Sequence, residues 1–243
     1  MQSRPALLCI PGLLCDEQVW APQVEALKHI ADIDAADHGR CDSLRSMAQA
    51  ALARMAAHPK FAVAGHSMGG RVALEILRLA PERVSRLALL DTGFEGLPVG
   101  EPGQQEIAKR RALLDLARTD GMRAAAMEWA RGMVHPRRLQ DARLMNAIYA
   151  MVERRTVQQF EAQIVALIGR QDAADVLAGI RCPTLVVCGE QDAWSPLAQH
   201  VELTSRITGS RLTTIADCGH MSTMEQPDAV ANALRAWLTG VSE

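Results

Sequence analysis

The stretch Phe61-Ala-Val-Ala-Gly-His-Ser-Met-Gly-Gly70 constrains the fold more than any other. An apolar run meets Gly-x-Ser-x-Gly, and apolar residues at helical spacing follow it through Leu79. A strand that turns into a helix around one serine leaves almost no room for side chains beside it. That accounts for Gly65 and Gly69. The turn pushes the Ser67 hydroxyl out at the carboxyl end of the strand. The new helix aims its free N–H groups at the same spot, where negative charge would develop. Gly-x-Ser-x-Gly alone is ordinary turn composition; the strand before it and the helix after it make this a nucleophile elbow.

The rest of the chain reads as strands and helices in alternation. Strands are expected at 5–10, 30–36, 61–65, 84–91, 184–188 and 211–215. Helices are expected at 16–28, 43–57, 68–79, 196–207 and 226–238. The first four strands read as apolar rather than alternating, apart from the aspartates in 30–36, as a sheet covered on both faces requires. The expectation is an α/β fold: a mostly parallel sheet of about six strands flanked by helices. From 96 to 176 the alternation stops. Helical runs at 104–118, 122–133, 136–153 and 156–168 begin near Pro102, Gly121, Pro136 and Thr156. The organisation is therefore a core of 1–95 and 177–243 with an all-helical cap, 96–176, inserted after the fourth strand. Aromatics are only 3% of the 243 residues, so the core must be built from aliphatic side chains and Met.

Several function classes are disfavoured. A net charge of −2 points to neither nucleic acid nor an anionic membrane surface. No segment reaches the ~18 apolar residues of a membrane span. The apolar stretch 6–15 is interrupted by Pro11-Gly12 and has no cleavage site after it, so a cytoplasmic protein is expected. None of the six cysteines forms a C-x-x-C pair, and free thiols are expected. There is no H-E-x-x-H and no Asp-rich loop for a metal, and neither glycine stretch fits a phosphate or dinucleotide loop. No cofactor is expected.

A nucleophilic serine needs a base, and the base needs an acid to orient it. Asp192 ends Leu185-Val-Val-Cys-Gly-Glu-Gln-Asp192, just past a strand. His220 sits in Asp217-Cys-Gly-His220-Met, just past the last strand. Catalytic groups of open parallel sheets gather outside the carboxyl ends of strands. Asp91, after the preceding strand, is the rival acid. His66 reads as a packing neighbour of Ser67. His29, His38, His58, His135 and His200 read as solvated or incidental.

With its order Ser67, Asp192, His220, the chain resembles the α/β-hydrolase superfamily over its whole length. The resemblance rests on Pro11-Gly12-Leu13-Leu14, Gly65-His-Ser-Met-Gly-Gly70, Gly189-Glu-Gln-Asp192, and Gly219-His220 followed by Glu225-Gln-Pro227. It is closest to small helical-capped serine esterases and lactonases, including carboxylesterases of the pimeloyl-carrier methyl esterase type. The resemblance implies an oxyanion hole made by the backbone N–H groups of Met68 and Leu13. The loop before Leu13 departs from the usual His-Gly and reads Pro11-Gly12, and the N-terminal strand pair common in the family is not expected before the strand at 5–10.

In the insertion, Trp129, Met133, Met145, Ile148, Met151 and Phe160 are apolar at helical spacing. They are either the buried face of the cap or, in part, the wall of an acyl pocket. Trp129, Met133, Met145 and Phe160 are the pocket candidates, joined by Trp194 and Met221 beside the expected triad. From 101 to 170 there are twelve Lys or Arg against eight Asp or Glu. This basic balance is either solvation or a docking surface for an acidic partner such as an acyl carrier protein. The expected function is hydrolysis of carboxylic esters of short to medium acyl chain through an acyl-enzyme. The alternatives are a lactone or thioester hydrolase, a carbon–carbon bond hydrolase, and a low-turnover ligand sensor.

Overall fold

The computed structural model describes residues 4–240. Six strands form one sheet: β1 (Ala6–Ile10), β2 (Asp32–Ala35), β3 (Phe61–His66), β4 (Val84–Leu90), β5 (Thr184–Gly189) and β6 (Arg211–Ile215). Their spatial order is β2-β1-β3-β4-β5-β6, and every neighbouring pair is parallel. The helices of the alternating part are α1 (Ala21–Leu27), α2 (Leu44–Arg54) and α3 (Met68–Leu79). Four helices of at least nine residues follow β4: α4 (Glu101–Thr119), α5 (Met122–Ala130), α6 (Ala142–Glu153) and α7 (Val157–Ile168). The chain then runs through α8 (Ala174–Leu177), α9 (Leu197–Ser205), α10 (Ser222–Glu225) and α11 (Pro227–Thr239).

Successive side chains of a strand point to opposite faces, and that alternation splits the core in two. Leu8 and Ile10, Val63, Leu87 and Leu89, and Val186 pack on one face, with apolar residues of α2, α3 and α9. Leu7 and Cys9, Ala64, Ala88 and Leu90, and Val187 pack on the other, with residues of α1 and α11. The inner strands β1, β3 and β5 are buried along their whole length. The edge strands β2 and β6 keep polar residues exposed, which is why the aspartates of β2 are tolerated. Residues of the inserted helices belong to both clusters, among them Phe160 and Ile164 in the first and Met145 and Ile148 in the second. The insertion is thus packed onto the core rather than set apart from it.

Several helix boundaries differ from expectation, each for a local reason. The first helix opens as a 3-10 turn, Glu17–Trp20, capped by Asp16, and becomes α-helical only at Ala21. The expected helix 136–153 is two pieces: a 3-10 turn, Pro136–Gln140, and then α6. Asp141 interrupts it because its side chain accepts from Leu144 N–H and so starts a new helix. The expected helix 122–133 ends at Ala130, and residues 131–135 form a turn that reappears below. The Thr156 start is a capping box with Gln159, and Ser43 makes another with Ser46. Among the described residues, no helix is long and apolar enough to cross a membrane.

Candidate active site

The elbow lies between β3 and α3. Ser67 has φ 54° and ψ −119°, a conformation that costs energy for any residue with a Cβ. Its N–H donates to Leu90 O at 2.8 Å, and Thr92 Oγ1 donates to Ser67 O at 2.7 Å, so β4 holds the strained turn. The glycines are required by close approach. A methyl at Gly69 would stand 2.1 Å from Ile10 O, and one at Gly65 2.3 Å from Gly69 O.

Three side chains converge here from distant parts of the chain. His220 Nε2 is 2.8 Å from Ser67 Oγ, and His220 Nδ1 is 2.8 Å from Asp192 Oδ2. Asp192 Oδ1 accepts from the N–H groups of Trp194 and Ser195, each at 2.8 Å. Burial pushes the Asp192 carboxyl up, but His220 and the two N–H donors outweigh it and hold it below the usual range. Burial pushes the His220 imidazole down, and Asp192, by its charge and its hydrogen bond, and then Glu225 outweigh that and hold it above 6.5. With Asp192 ionised, Nδ1–H is fixed as donor, and Nε2 of the neutral ring is left to accept the Ser67 proton. The arrangement is chemically able to generate a serine alkoxide and store the proton.

Leu13 and Met68 line the same cavity as Ser67. Among the described residues, neither backbone N–H has a hydrogen-bond acceptor, as donors kept for a developing oxyanion would require. The loop carrying Leu13 is held from two sides. His38 Nε2 lies 2.9 Å from Pro11 O, and Gln163 Oε1 accepts from Leu14 N–H at 2.8 Å. Leu14 has φ 63°, so the bond from α7 pins a residue that does not favour its own conformation.

His38, expected to be incidental, is 3% exposed and supports this loop. His200 is fully buried and accepts from Thr92 N–H at 3.0 Å, just below the elbow. His135 is also buried. The solvated reading of these three is corrected. His38 and His200 are bonded to backbone that the sequence places out of sight, 27 and 108 residues away, whereas the His135 ring accepts from Arg137 N–H two residues on and caps the turn that begins at Pro136. His66 packs beside the nucleophile as expected and adds a tie: its Nε2 lies 2.8 Å from His220 O. Burial, then His220, push it down to about 4, so the ring is neutral and Nε2–H is the donor.

Asp91, the rival acid, is fully buried with φ 49°. It accepts from Gly189 N–H at 3.1 Å and from Ser222 N–H and Oγ, and it does not bond His220. Burial, then the charge of Asp192, push it up to about 8. Asp91, Cys188 and Asp192 each bring one donor atom to within 4.8 Å of the others. The carboxylate oxygens there already accept N–H and O–H groups. The Cys188 thiol donates to Gly189 O and is pushed well up by burial. Those donors fit an internal hydrogen-bond network better than a metal.

The triad opens on a cavity of about 800 Å³ between the sheet and the insertion. Trp129, Met133 and Trp194 line it; Met145, Phe160 and Met221 do not. Phe160 is fully buried in one core cluster, and Met145 and Met221 lie in the other. For these three the pocket expectation is corrected: α6, α7 and the His220 loop spend them on core packing. The cavity wall also carries charge that the sequence reading missed. Arg110 and Arg170 share one partner, Glu106. Arg71, one turn beyond Ser67, donates among the described residues only to a backbone carbonyl, Glu95 O. Burial, then Arg170 and Arg110, push the Arg71 guanidinium down to about 9. Helical spacing from Ser67 to Arg71 was the available signal.

Comparison with known proteins agrees with this geometry. A 2-hydroxy-6-oxononadienedioate/2-hydroxy-6-oxononatrienedioate hydrolase of Escherichia coli is 28% identical over 86% of this chain and 75% of its own. A Bacillus subtilis protein provisionally assigned as 2-succinyl-6-hydroxy-2,4-cyclohexadiene-1-carboxylate synthase is 26% identical over 97% of this chain and 91% of its own. Among solved structures, a thermophilic esterase from Thermogutta terrifontis, with malate bound, superposes with a TM-score of 0.87 at 25% identity. That match covers 99% of this chain and 92% of the esterase. An enol-lactonase from Burkholderia xenovorans LB400 shares the fold, with a TM-score of 0.84 at 24% identity over 98% of this chain and 92% of its own. The sequence model of the alpha/beta hydrolase family matches residues 7–233, and the chain belongs to that family.

Proposed function

We propose that the protein is a serine hydrolase of carboxylic esters, of short to medium acyl chain, whose substrate carries a second, ionised carboxylate. The observation that carries the hydrolase reading is the unbroken line Ser67–His220–Asp192, with both contacts at 2.8 Å, opening on a cavity. His220 takes the Ser67 proton as Oγ attacks the carbonyl. Asp192 holds the imidazolium, and the N–H groups of Leu13 and Met68 receive the oxyanion. The alcohol leaves with the proton from His220, and water activated by His220 hydrolyses the acyl-enzyme. No cofactor enters any step.

The anionic group is supported by Arg71, Arg110 and Arg170 in the cavity wall, of which Arg110 and Arg170 share Glu106 while Arg71 is bonded to the Glu95 carbonyl rather than to a carboxylate. A half-buried guanidinium without a carboxylate partner is poorly compensated, and an anionic substrate would relieve it. The names of relatives point the same way: one acts on a dienedioate, another is named for a carboxylate product, and the Thermogutta terrifontis esterase holds malate, a dicarboxylate. The same groups would serve lactone or thioester hydrolysis. Carbon–carbon bond cleavage is the second reading, because one relative is named for a 2-hydroxy-6-oxo dienedioate.

The test is steady-state hydrolysis of p-nitrophenyl esters from two to twelve carbons, each compared with its ω-carboxylate analogue, with Ser67→Ala alongside. Turnover lost in Ser67→Ala, with the ω-carboxylate series preferred, supports the proposal. Equal use of both series removes the anionic part. No turnover beside a persistent adduct would favour a ligand sensor, and turnover of 2-hydroxy-6-oxo dienoates alone would favour carbon–carbon cleavage.

A further inference from the structure

Glu225 takes no part in the proton path, yet its carboxylate is 2% exposed and both oxygens are engaged. Oε1 accepts from the N–H groups of Gly219 and Met221, each at 3.1 Å, one on either side of His220. Oε2 accepts from His135 N–H at 2.7 Å, across a separation of 90 residues. His135 ends the turn that follows α5. Two residues earlier in that turn, Met133 O accepts from His220 N–H at 2.8 Å and from Met221 N–H at 3.1 Å. The two backbones lie so close that a methyl at Gly219 would stand 2.5 Å from His135 N. The inserted segment 133–135 and the loop 219–221 are therefore laced together by five hydrogen bonds from four N–H donors, three of the bonds falling on one carboxylate and Met221 N–H being shared between Glu225 and Met133 O.

We propose that Glu225 is a positioning residue for His220: it fastens the strap 133–135 of the insertion to the His220 loop, so that the cavity wall and the catalytic base move as one body. The inference rests on the serine hydrolase reading and adds what holds its base in place. Trp129, Arg131, Gly132 and Met133 line the cavity, so a substrate seated there presses on the strap from which His220 hangs. A displacement of about 1 Å at a catalytic group costs on the order of 100-fold in rate, which is why such a lacing matters.

A glutamine cannot replace Glu225. One accepting oxygen becomes an NH2 group that meets an N–H head-on, either at His135 or at Gly219 and Met221. Other groups face this carboxylate: His220 and Cys218 from its own side, His135 from the strap, and Arg138, whose Nη1 donates to Glu225 O. Of these, His220 is the one whose basicity sets the rate, and the charge of Glu225 raises it.

The test uses a p-nitrophenyl alkylphosphonate ester. Ser67 Oγ attacks phosphorus, p-nitrophenolate leaves with the electron pair, and the Ser67 proton passes to His220. The rate reports activation of Ser67 without knowledge of the natural substrate. In Glu225→Gln we expect phosphonylation at least 10-fold slower, and ester hydrolysis with kcat reduced and KM changed less than threefold. We also expect the acid limb of the pH profile to move to lower pH, because a negative charge near His220 is gone. His135→Pro is the second variant. His135 has φ −54°, which proline adopts without strain, so the substitution deletes the N–H on Oε2 and keeps the Glu225 charge. It should slow phosphonylation severalfold with the acid limb unmoved. Wild-type rates and pH profile in folded Glu225→Gln would overturn the proposal. If that variant does not fold, a wild-type rate in His135→Pro would overturn it and a slowed rate would support it. A wild-type protein inert to the phosphonate would instead sink the serine hydrolase reading, a separate and recognisable result.

Discussion

Asp91 and Asp192 follow neighbouring strands and lie buried with carboxylate oxygens within 4.8 Å of each other, but only Asp192 is bonded to His220. Two carboxylates this close in a poorly solvated site do not both ionise freely. The partner that gains most from ionisation is the one that meets the imidazole, so Asp192 carries the charge and Asp91 holds the proton. Asp192→Asn should therefore lower kcat by roughly 10³–10⁴-fold through loss of the correct tautomer. Asp91→Asn should lower it less than 10-fold. Steady-state kinetics on a p-nitrophenyl ester separates the two, and the reverse ranking would make Asp91 the working acid.

The same pair sets the pH dependence. His220 must be neutral to accept the Ser67 proton, and its raised pKa places the acid limb of kcat/KM above 6.5. Activity should rise with pH through that limb. Stability should move the other way. Asp91 goes from 3.8 when exposed to about 8 when folded, so its contribution is fully present below about 4 and is lost as pH rises through 8. The Tm of wild type relative to Asp91→Asn should fall steadily between pH 4 and 8. A constant gap over that range would mean that Asp91 is ionised in the folded protein.

How much of this site the sequence disclosed follows from how local each signal is. The elbow was legible because Gly65, Ser67 and Gly69 carry it within five residues, and the order of Asp192 and His220 was legible because each follows an apolar strand. The sheet was legible for the same reason. The cavity wall was not. Whether Met133 or Met145 faces substrate depends on where α5 ends, at Ala130, and on which face α6 turns to the core, and helical spacing fixes neither. The supports of the site were hidden by distance: Gln163 meets Leu14 across 149 residues, and Glu225 meets His135 across 90. The break at Asp141 was in principle readable, since an aspartate preceding an apolar helical run is a cap signal.

Arg71 and ionic strength together discriminate between two sources of anionic recognition. Arg71→Gln should lower kcat/KM for an ω-carboxylate ester by about 10–100-fold, the worth of a hydrogen bond between charged groups. It should change a neutral ester less than threefold. An acidic carrier protein would instead be recognised by exposed cations. Most arginines of the insertion are already paired, as Arg118 with Glu161, Arg123 with Glu153, Arg154 with Asp16 and Arg155 with Asp37. Among the described residues, Lys109, Arg111 and Arg143 are exposed cations without an ion pair. Exposed charges are screened by salt far more than buried ones. If a carrier docks there, activity on a carrier-linked ester should fall between 50 and 500 mM salt while the free ω-carboxylate ester is affected less. An equal response of the two would remove the carrier.

Gln163 gives the sharpest test of the oxyanion loop, because it acts from the insertion on a backbone that no substitution can delete. Its Oε1 is the acceptor for Leu14 N–H, at 2.8 Å, and the side chain is 2% exposed. Gln163→Leu fills similar space and removes the acceptor. It leaves a buried N–H unsatisfied, at a cost of about 1–3 kcal/mol in stability. Leu14, with φ 63°, is then free to relax toward the ordinary regions, and the relaxation turns the adjacent Leu13 N–H away from the position the oxyanion must occupy. Loss of one oxyanion donor typically costs about 10²–10³-fold in kcat, so a partial reorientation should cost on the order of 10-fold or more, with KM little changed. Phosphonate adducts should also form more slowly, since they mimic the same tetrahedral charge. If Gln163→Leu lowers Tm but leaves kcat at the wild-type value, Leu13 N–H is not the donor, and Met68 must be sought another companion.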